Sequence, residues 1–142
     1  MSVASWTNMK VQSPTDRAHL KRSAVLRSAA VLTDTYVASN EIIVDECSRV
    51  GVFFSITKTS LTSFQYKVEQ SFDDGVSWYS LGAESVTLTT ITDGIPEYSR
   101  TLAGNENWFK IFNIIGNRFR VQVKGTGTVT ASSCLVTAVG VY

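Results

Sequence analysis

Polar and apolar residues alternate in short runs along most of this chain, and the runs break at close intervals. In SFQYKVEQSF (63–72), Phe64, Tyr66 and Val68 point to one side of an extended segment and Gln65, Lys67 and Glu69 to the other. In NRFRVQVKG (117–125), Phe119, Val121 and Val123 oppose Arg118, Arg120, Gln122 and Lys124. Further strands are predicted at Glu41–Asp45 and Val50–Thr59, and in the runs VSWYSL, ESVTLTTI, PEYSRTL and NWFKIFNII. Gly116-Asn117, between NWFKIFNII and NRFRVQVKG, carries a two-residue hairpin signal. The closing run GTGTVTASSCLVTAVGVY reads as one long strand or a bulged pair. SAVLRSAAVLTDTYVAS, from Ser23, is open to a short helix or a strand, with extended structure expected in its later part. About nine short strands at regular spacing predict an all-β domain, a β-sandwich or jelly roll. Residues 1–22 show no clean period, and Pro14 within QSPTDR argues against regular structure there. The expected organisation is an irregular N-terminal arm, 1–22, before a single β-sandwich domain, 23–142.

Composition supports a folded domain. The chain has 142 residues, 44% hydrophobic and 18% charged, enough for one core. The net charge of +1 points to neither a nucleic-acid nor a membrane partner, but it is unevenly spread. Up to Arg27, five basic residues face one acid, Asp16, a local charge of +4, and the remainder sums to −3. Such a leader suits docking on an acidic surface, through Trp6, Lys10, Arg17, Lys21 and Arg22; a solvated terminus is the plain alternative. Cys47 and Cys134 form no CxxC pattern and have no nearby histidine, so buried thiols are expected rather than zinc ligands, with a disulfide open only if their strands are neighbours and the compartment is oxidising. The opening MSVASWTNMKVQSPTD lacks the apolar stretch of a signal peptide, and no apolar run is long enough to span a membrane.

The densest polar chemistry lies in VEQSFDDGVSWYSLG (68–82). Asp73, Asp74 and Gly75 hint at a calcium loop, but the later ligand positions do not fit an EF-hand and the flanks read as strands. Adjacent carboxylates on a hairpin point to different faces and make a poor acid–base pair. The one histidine, His19, sits in the basic arm, and no P-loop or GxGxxG is present. No catalytic residue, cofactor or metal is expected, and the chain reads as a non-enzyme.

A turn accounts for the same residues. Ser71-x-Asp73-x-Gly75-x-Ser77-Trp78 resembles the Asp-box, S-x-D-x-G-x-[ST]-W, of sialidases and other β-proteins, and every defined position matches. The resemblance implies that Asp73 and Ser77 bond the turn backbone, Gly75 supplies a positive φ, and Trp78 packs beneath the hairpin onto the core. It implies local structure only, because none of the sialidase catalytic residues can be matched. Tyr79, on the opposite face from Trp78, becomes the residue of this stretch expected to touch a partner.

A small all-β chain with a basic arm and an S-x-D-x-G-x-x-W hairpin is similar to structural proteins of tailed-phage virions. The likeness is close over Val68–Leu81 and general elsewhere. It implies a capsid decoration (cement) protein, a homo-oligomer with a trimer the expected form, assembled in the host cytoplasm onto the major capsid protein or other virion proteins. A head-completion or tail component carries the same signals. Another possibility is a carbohydrate- or receptor-binding module, with Tyr66, Trp78, Tyr79, Trp108 and Phe109 as candidate stacking rings. Adjacent pairs such as Trp78-Tyr79 and Trp108-Phe109 must each put one ring on an outer face.

Overall fold

The structure, a computed structural model, describes residues 3–8, 21–80, 85–86, 91–92, 97–129 and 131–141. They form two packed β-sheets. Sheet one has the order β1 (Val3–Ala4), β5 (Glu41–Ile43), β13 (Arg118–Gly127), β7 (Leu61–Ser71) and β11 (Tyr98–Thr101). Two short strands extend it: β4 (Val37–Ala38) on β13 and β8 (Tyr79–Ser80) on β7. Sheet two has the order β12 (Glu106–Asn113), β6 (Arg49–Thr57), β14 (Ser133–Val141), β3 (Lys21–Val31) and β2 (Thr7–Asn8). A separate ribbon pairs β9 (Ser85–Val86) with β10 (Ile91–Thr92).

Setting aside the short pieces, the chain visits β3, β5, β6, β7, β11, β12, β13 and β14 in turn. It changes sheet at every step except β7 to β11. The orders β12-β6-β14-β3 and β5-β13-β7-β11, with antiparallel pairing throughout, are those of an eight-stranded jelly roll.

The alternations explain why each strand lies where it does. Phe64, Tyr66 and Val68 of β7 and Phe119, Val121 and Val123 of β13 fill the space between the sheets. From sheet two they meet Val50, Val52, Phe54 and Ile56 of β6 and Val136 and Ala138 of β14. A run of aromatic contacts crosses this core. Phe54 stacks on Trp108 at 5.2 Å and lies 4.5 Å from Tyr66, which stacks on Tyr98 at 5.0 Å.

One open choice is resolved and two expectations change. SAVLRSAAV, open to a short helix or a strand, is strand, with Ala24 and Leu26 buried beside β14. Of ESVTLTTI, the described residues Ser85–Val86 and Ile91 belong to two strands, β9 and β10, that pair antiparallel, rather than to one; the rest of the run lies outside the described residues. Gly116-Asn117 is not a hairpin turn, since β12 pairs with β6 and β13 with β7, in opposite sheets. The corner is held by Gln70, a fully buried residue of β7. Its Oε1 accepts from the N–H groups of Ile115 (3.1 Å) and Gly116 (2.8 Å), and its Nε2 donates to Asn113 O (2.9 Å). A Cβ on Gly116 would stand 2.6 Å from Ser71 O, so only glycine lets the corner approach β7.

The N-terminus also differs from an irregular arm. Residues 3–8 step from β1, parallel to β5 in sheet one, to β2, antiparallel to β3 in sheet two. Trp6 sits between them, packed on the core, with its Nε1 donating to Ile43 O at 2.7 Å. A Cβ on Gly140 would lie 2.9 Å from both the Trp6 ring and Cys47 Sγ, so the clasp seats in a space kept open by that glycine. Lys21 and Arg22, placed in the arm by sequence, belong to β3. Lys10, Arg17 and His19 lie outside the described residues.

Cys47 and Cys134 are both buried. Cys134 and Gly140, the latter beside Cys47, are six residues apart on β14, which sets the thiols roughly 20 Å apart, too far for a disulfide. Burial pushes the Cys134 thiol up to about 12, with Arg27 pulling the other way.

Candidate interaction surfaces

The outer face of sheet one is polar and tied together. The Glu69 carboxylate accepts from Arg120 Nε (2.8 Å) and Gln122 Nε2 (2.6 Å), and the Arg120 and Glu69 side chains are only 14% and 10% exposed. Arg118 pairs with Glu41 at 2.8 Å. Gln65 donates to Ser63 and Ser99 and accepts from Thr126. The ammonium groups of Lys67 and Lys124 lie 4.3 and 4.8 Å from the centre of the Tyr36 ring. Arg118, Arg120 and Lys124, the cations that alternate along β13, are thus each engaged by a neighbour within the fold.

Over one end of this face lies the loop between β7 and β8. Ser71 Oγ donates to Asp73 Oδ1 (2.8 Å) and accepts from the Gly75 N–H (2.8 Å); the Ser77 N–H donates to Asp73 Oδ1 (2.7 Å). Asp74 and Gly75 have φ of 57° and 89°, and Val76 N reaches Asp73 O at 3.3 Å. Positive φ at both central residues is the pattern of a type I′ turn. The Ser77 N–H, then the Ser71 hydroxyl, hold the Asp73 carboxyl below its ordinary value. Asn117 Nδ2 donates to Asp74 Oδ1 at 2.8 Å and joins the turn to the β12–β13 corner.

Trp78 corrects an expectation. It does not pass beneath the turn to the core. Its ring lies on the outside of sheet one, 4.2 Å from the Arg120 guanidinium, and its Nε1 donates to Gly75 O at 3.0 Å. The reason is register: Gln70 pairs with Tyr79 and Glu69 with Ser80, so the loop folds back over the polar face. Tyr79 is exposed and meets Phe72 edge to face, with ring centres 5.8 Å apart.

The outer face of sheet two has a different chemistry. Register places Phe109, Phe53, Thr137 and Val25 in one row across four strands, and Ile111, Gly51, Val139 and Ser23 in the next. Phe109, Ile111, Val25 and Phe53 are 58%, 56%, 49% and 41% exposed. The Phe53 and Phe109 rings stack at 5.2 Å and 23°. Beside them a shallow groove of about 330 Å³ opens between these rings, Ser55, Asn107, Leu135 and Thr137. Trp108, next to Phe109, points inward; so does Tyr66 on sheet one.

Sequence reasoning singled out Phe109 but missed Phe53, Ile111 and Val25. The signal for Phe53 was present: Phe53-Phe54 is an adjacent aromatic pair in a strand, so one ring must face out. Among the described residues, no three metal-capable side chains cluster, and no helix is long and apolar enough to cross a membrane.

Topology and packing together define an all-β sandwich of the jelly-roll class. The SPBc2 prophage-derived protein YomS, known from a crystal structure, is similar in fold: TM-score 0.53 and 19% identity, over 86% of this chain and 93% of that one. No family model matches the sequence, and no curated protein matches it.

Proposed function

We propose that this chain is a non-enzymatic structural protein of a bacteriophage particle, of the capsid decoration (cement) kind, that stabilises the head by binding the major capsid protein. The observation that carries this reading is the near whole-length likeness of fold to a prophage-derived protein. The jelly roll itself is an architecture used in viral capsid domains, which is support by analogy of fold. Many modest contacts, repeated at every site of a shell, hold such a protein without a deep pocket. Basic residues near the N-terminus, Lys10, Arg17 and Lys21, supply charge toward acidic sites on the shell.

The test is co-sedimentation of the purified protein with phage heads that lack it. Retention at on the order of hundreds of copies per head supports shell decoration; about six or twelve copies marks a neck or tail ring instead. Lys10→Glu/Arg17→Glu should weaken retention and leave the fold intact, whereas deleting residues 1–22 would also remove the Trp6 clasp. Failure of the wild-type protein to bind any particle overturns the proposal.

A second reading, a carbohydrate- or receptor-binding module, draws on one observation. The exposed, stacked pair Phe53 and Phe109 forms an aromatic platform beside a groove lined by Asn107, Ser55 and Thr137. Strong hits on a glycan array, lost in Phe109→Ala, would put this reading first.

A further inference from the structure

We infer that the outer face of sheet two is a self-association surface, packed sheet on sheet against the same face of a second copy of this chain about a two-fold axis. The inference is independent of the virion reading, and it competes with a glycan platform at Phe53 and Phe109, which the pair would bury.

Four observations carry it. The first is exposure: Val25, Phe53, Phe109 and Ile111 stand out on adjoining rows of one face, joined through Thr137 and Val139. Scattered exposed apolar residues are normal, but a patch continuous across four strands is the kind that another surface covers.

The second is size. Four strands spaced ~4.8 Å apart are ~19 Å wide, and the eight residues of β12 run ~27 Å, so the face measures on the order of 500 Å². Burying it on two copies removes about 1,000 Å², the lower bound for a specific interface.

The third is charge. The rows Asn107–Ser55–Leu135, Phe109–Phe53–Thr137–Val25 and Ile111–Gly51–Val139–Ser23 hold no acid and no base. Arg49 and Lys21 lie together in the next row, at one end. A two-fold axis lying in the interface and across the strands sets that cationic end over the neutral Asn107–Ser55–Leu135 end of the other copy. No like charges then meet, and no charge is buried at the centre.

The fourth is the nature of the matching surface. Homodimer interfaces are more apolar than transient ones. Between the outer faces of the two sheets, sheet one is committed to ion pairs, so the complement of an uncharged apolar sheet is another copy of itself. Aligned packing of two such faces follows the ordinary geometry of sandwiches, about 10 Å apart with strands rotated by about 30°. It also covers Phe109 and Ile111 on β12, the terminal strand of sheet two and its aggregation liability. The result is a two-fold pair, rather than the trimer that the phage resemblance implies.

Sedimentation equilibrium of the full chain tests this, with Phe109→Lys, Ile111→Lys and a control, Tyr79→Lys, at an exposed residue of sheet one outside the proposed face. The wild type and Tyr79→Lys should be dimers. Each sheet-two variant should keep its far-UV circular dichroism and raise the dimer dissociation constant at least about 30-fold, as expected for an apolar contact beside the two-fold axis worth some 2 kcal/mol. Having both variants guards against one failing to fold. A wild-type monomer at about 100 µM, a concentration at which even a weak specific pair forms, overturns the inference. So does any oligomer other than a dimer, a dimer indifferent to both Phe109→Lys and Ile111→Lys, or one broken equally by Tyr79→Lys.

Discussion

The two outer faces of this sandwich are made of similar strands and treat their side chains in opposite ways. On sheet one, Glu69, Arg120, Gln122, Gln65, Lys67 and Lys124 find partners within the chain, and the Trp78 loop folds over part of them. On sheet two, Phe53, Phe109, Ile111 and Val25 stand exposed, and Phe53 and Phe109 have chiefly each other. The contrast separates two uses of a sheet surface. Polar groups that satisfy one another stabilise the fold and leave little to offer a partner. Apolar groups left in water contribute little to the fold and keep their burial free energy for an encounter.

That contrast can be broken most forcefully at Glu69. Glu69→Ala removes the carboxylate that accepts from the Arg120 guanidinium and the Gln122 amide in a mostly buried setting and should cost about 3 kcal/mol in urea unfolding. A loss under about 1 kcal/mol would mean that the face is merely solvated after all.

Trp78→Ala comes next. It removes the ring from Arg120 and the hydrogen bond to Gly75 O, and about 2 kcal/mol should follow, less than for a core aromatic because the ring is half-buried. If Trp78 instead served the core, the loss would approach that of a buried tryptophan.

The effect of Asp73 is smaller and depends on pH. Its carboxyl is held below the ordinary value by donors from Ser77 and Ser71, so its charge-dependent contribution is complete above the unfolded value, about 3.9. It fades as pH falls through the lower folded value. The stability gap between wild type and Asp73→Asn should therefore be constant from pH 7 to about 5 and shrink toward pH 2. A gap that widens on acidification would reverse the assignment.

The smallest effect is expected on sheet two. Val25→Thr and Ile111→Thr should alter monomer stability by no more than about 0.5 kcal/mol when unfolding is followed at high dilution. At high protein concentration the same substitutions should cost more, because association adds to the apparent stability. Equal losses at both concentrations would place these residues among the fold's own supports.

Much of this architecture is legible along the chain, and the limits have physical causes. The alternations in 64–69 and 117–125 report faithfully which side chains face the core, because pleating forces a period of two. They do not report which sheet a strand joins. Gly116-Asn117 reads as a hairpin because both flanking strands alternate, yet each satisfies its alternation against the opposite sheet. What decides the matter is Gln70, far away in sequence, whose side chain takes up the corner's amides. The inward and outward choices of Trp108 and Phe109 are legible by the same pleat rule. The position of Trp78 is not, because it rests on the pairing of β7 with β8 and on a cation from β13.

The clasp at the N-terminus has an evolutionary consequence. Trp6, Cys47 and Gly140 come from three distant parts of the chain and share one small volume, with no room for a methyl group at position 140. Drift at any one of them is constrained by the other two. A lineage that acquires alanine or valine at position 140 must move the indole at position 6 and the thiol at 47, or replace them. In a family of such chains these three positions would change as a set, and a sequence in which only one had changed would mark a clasp that no longer closes.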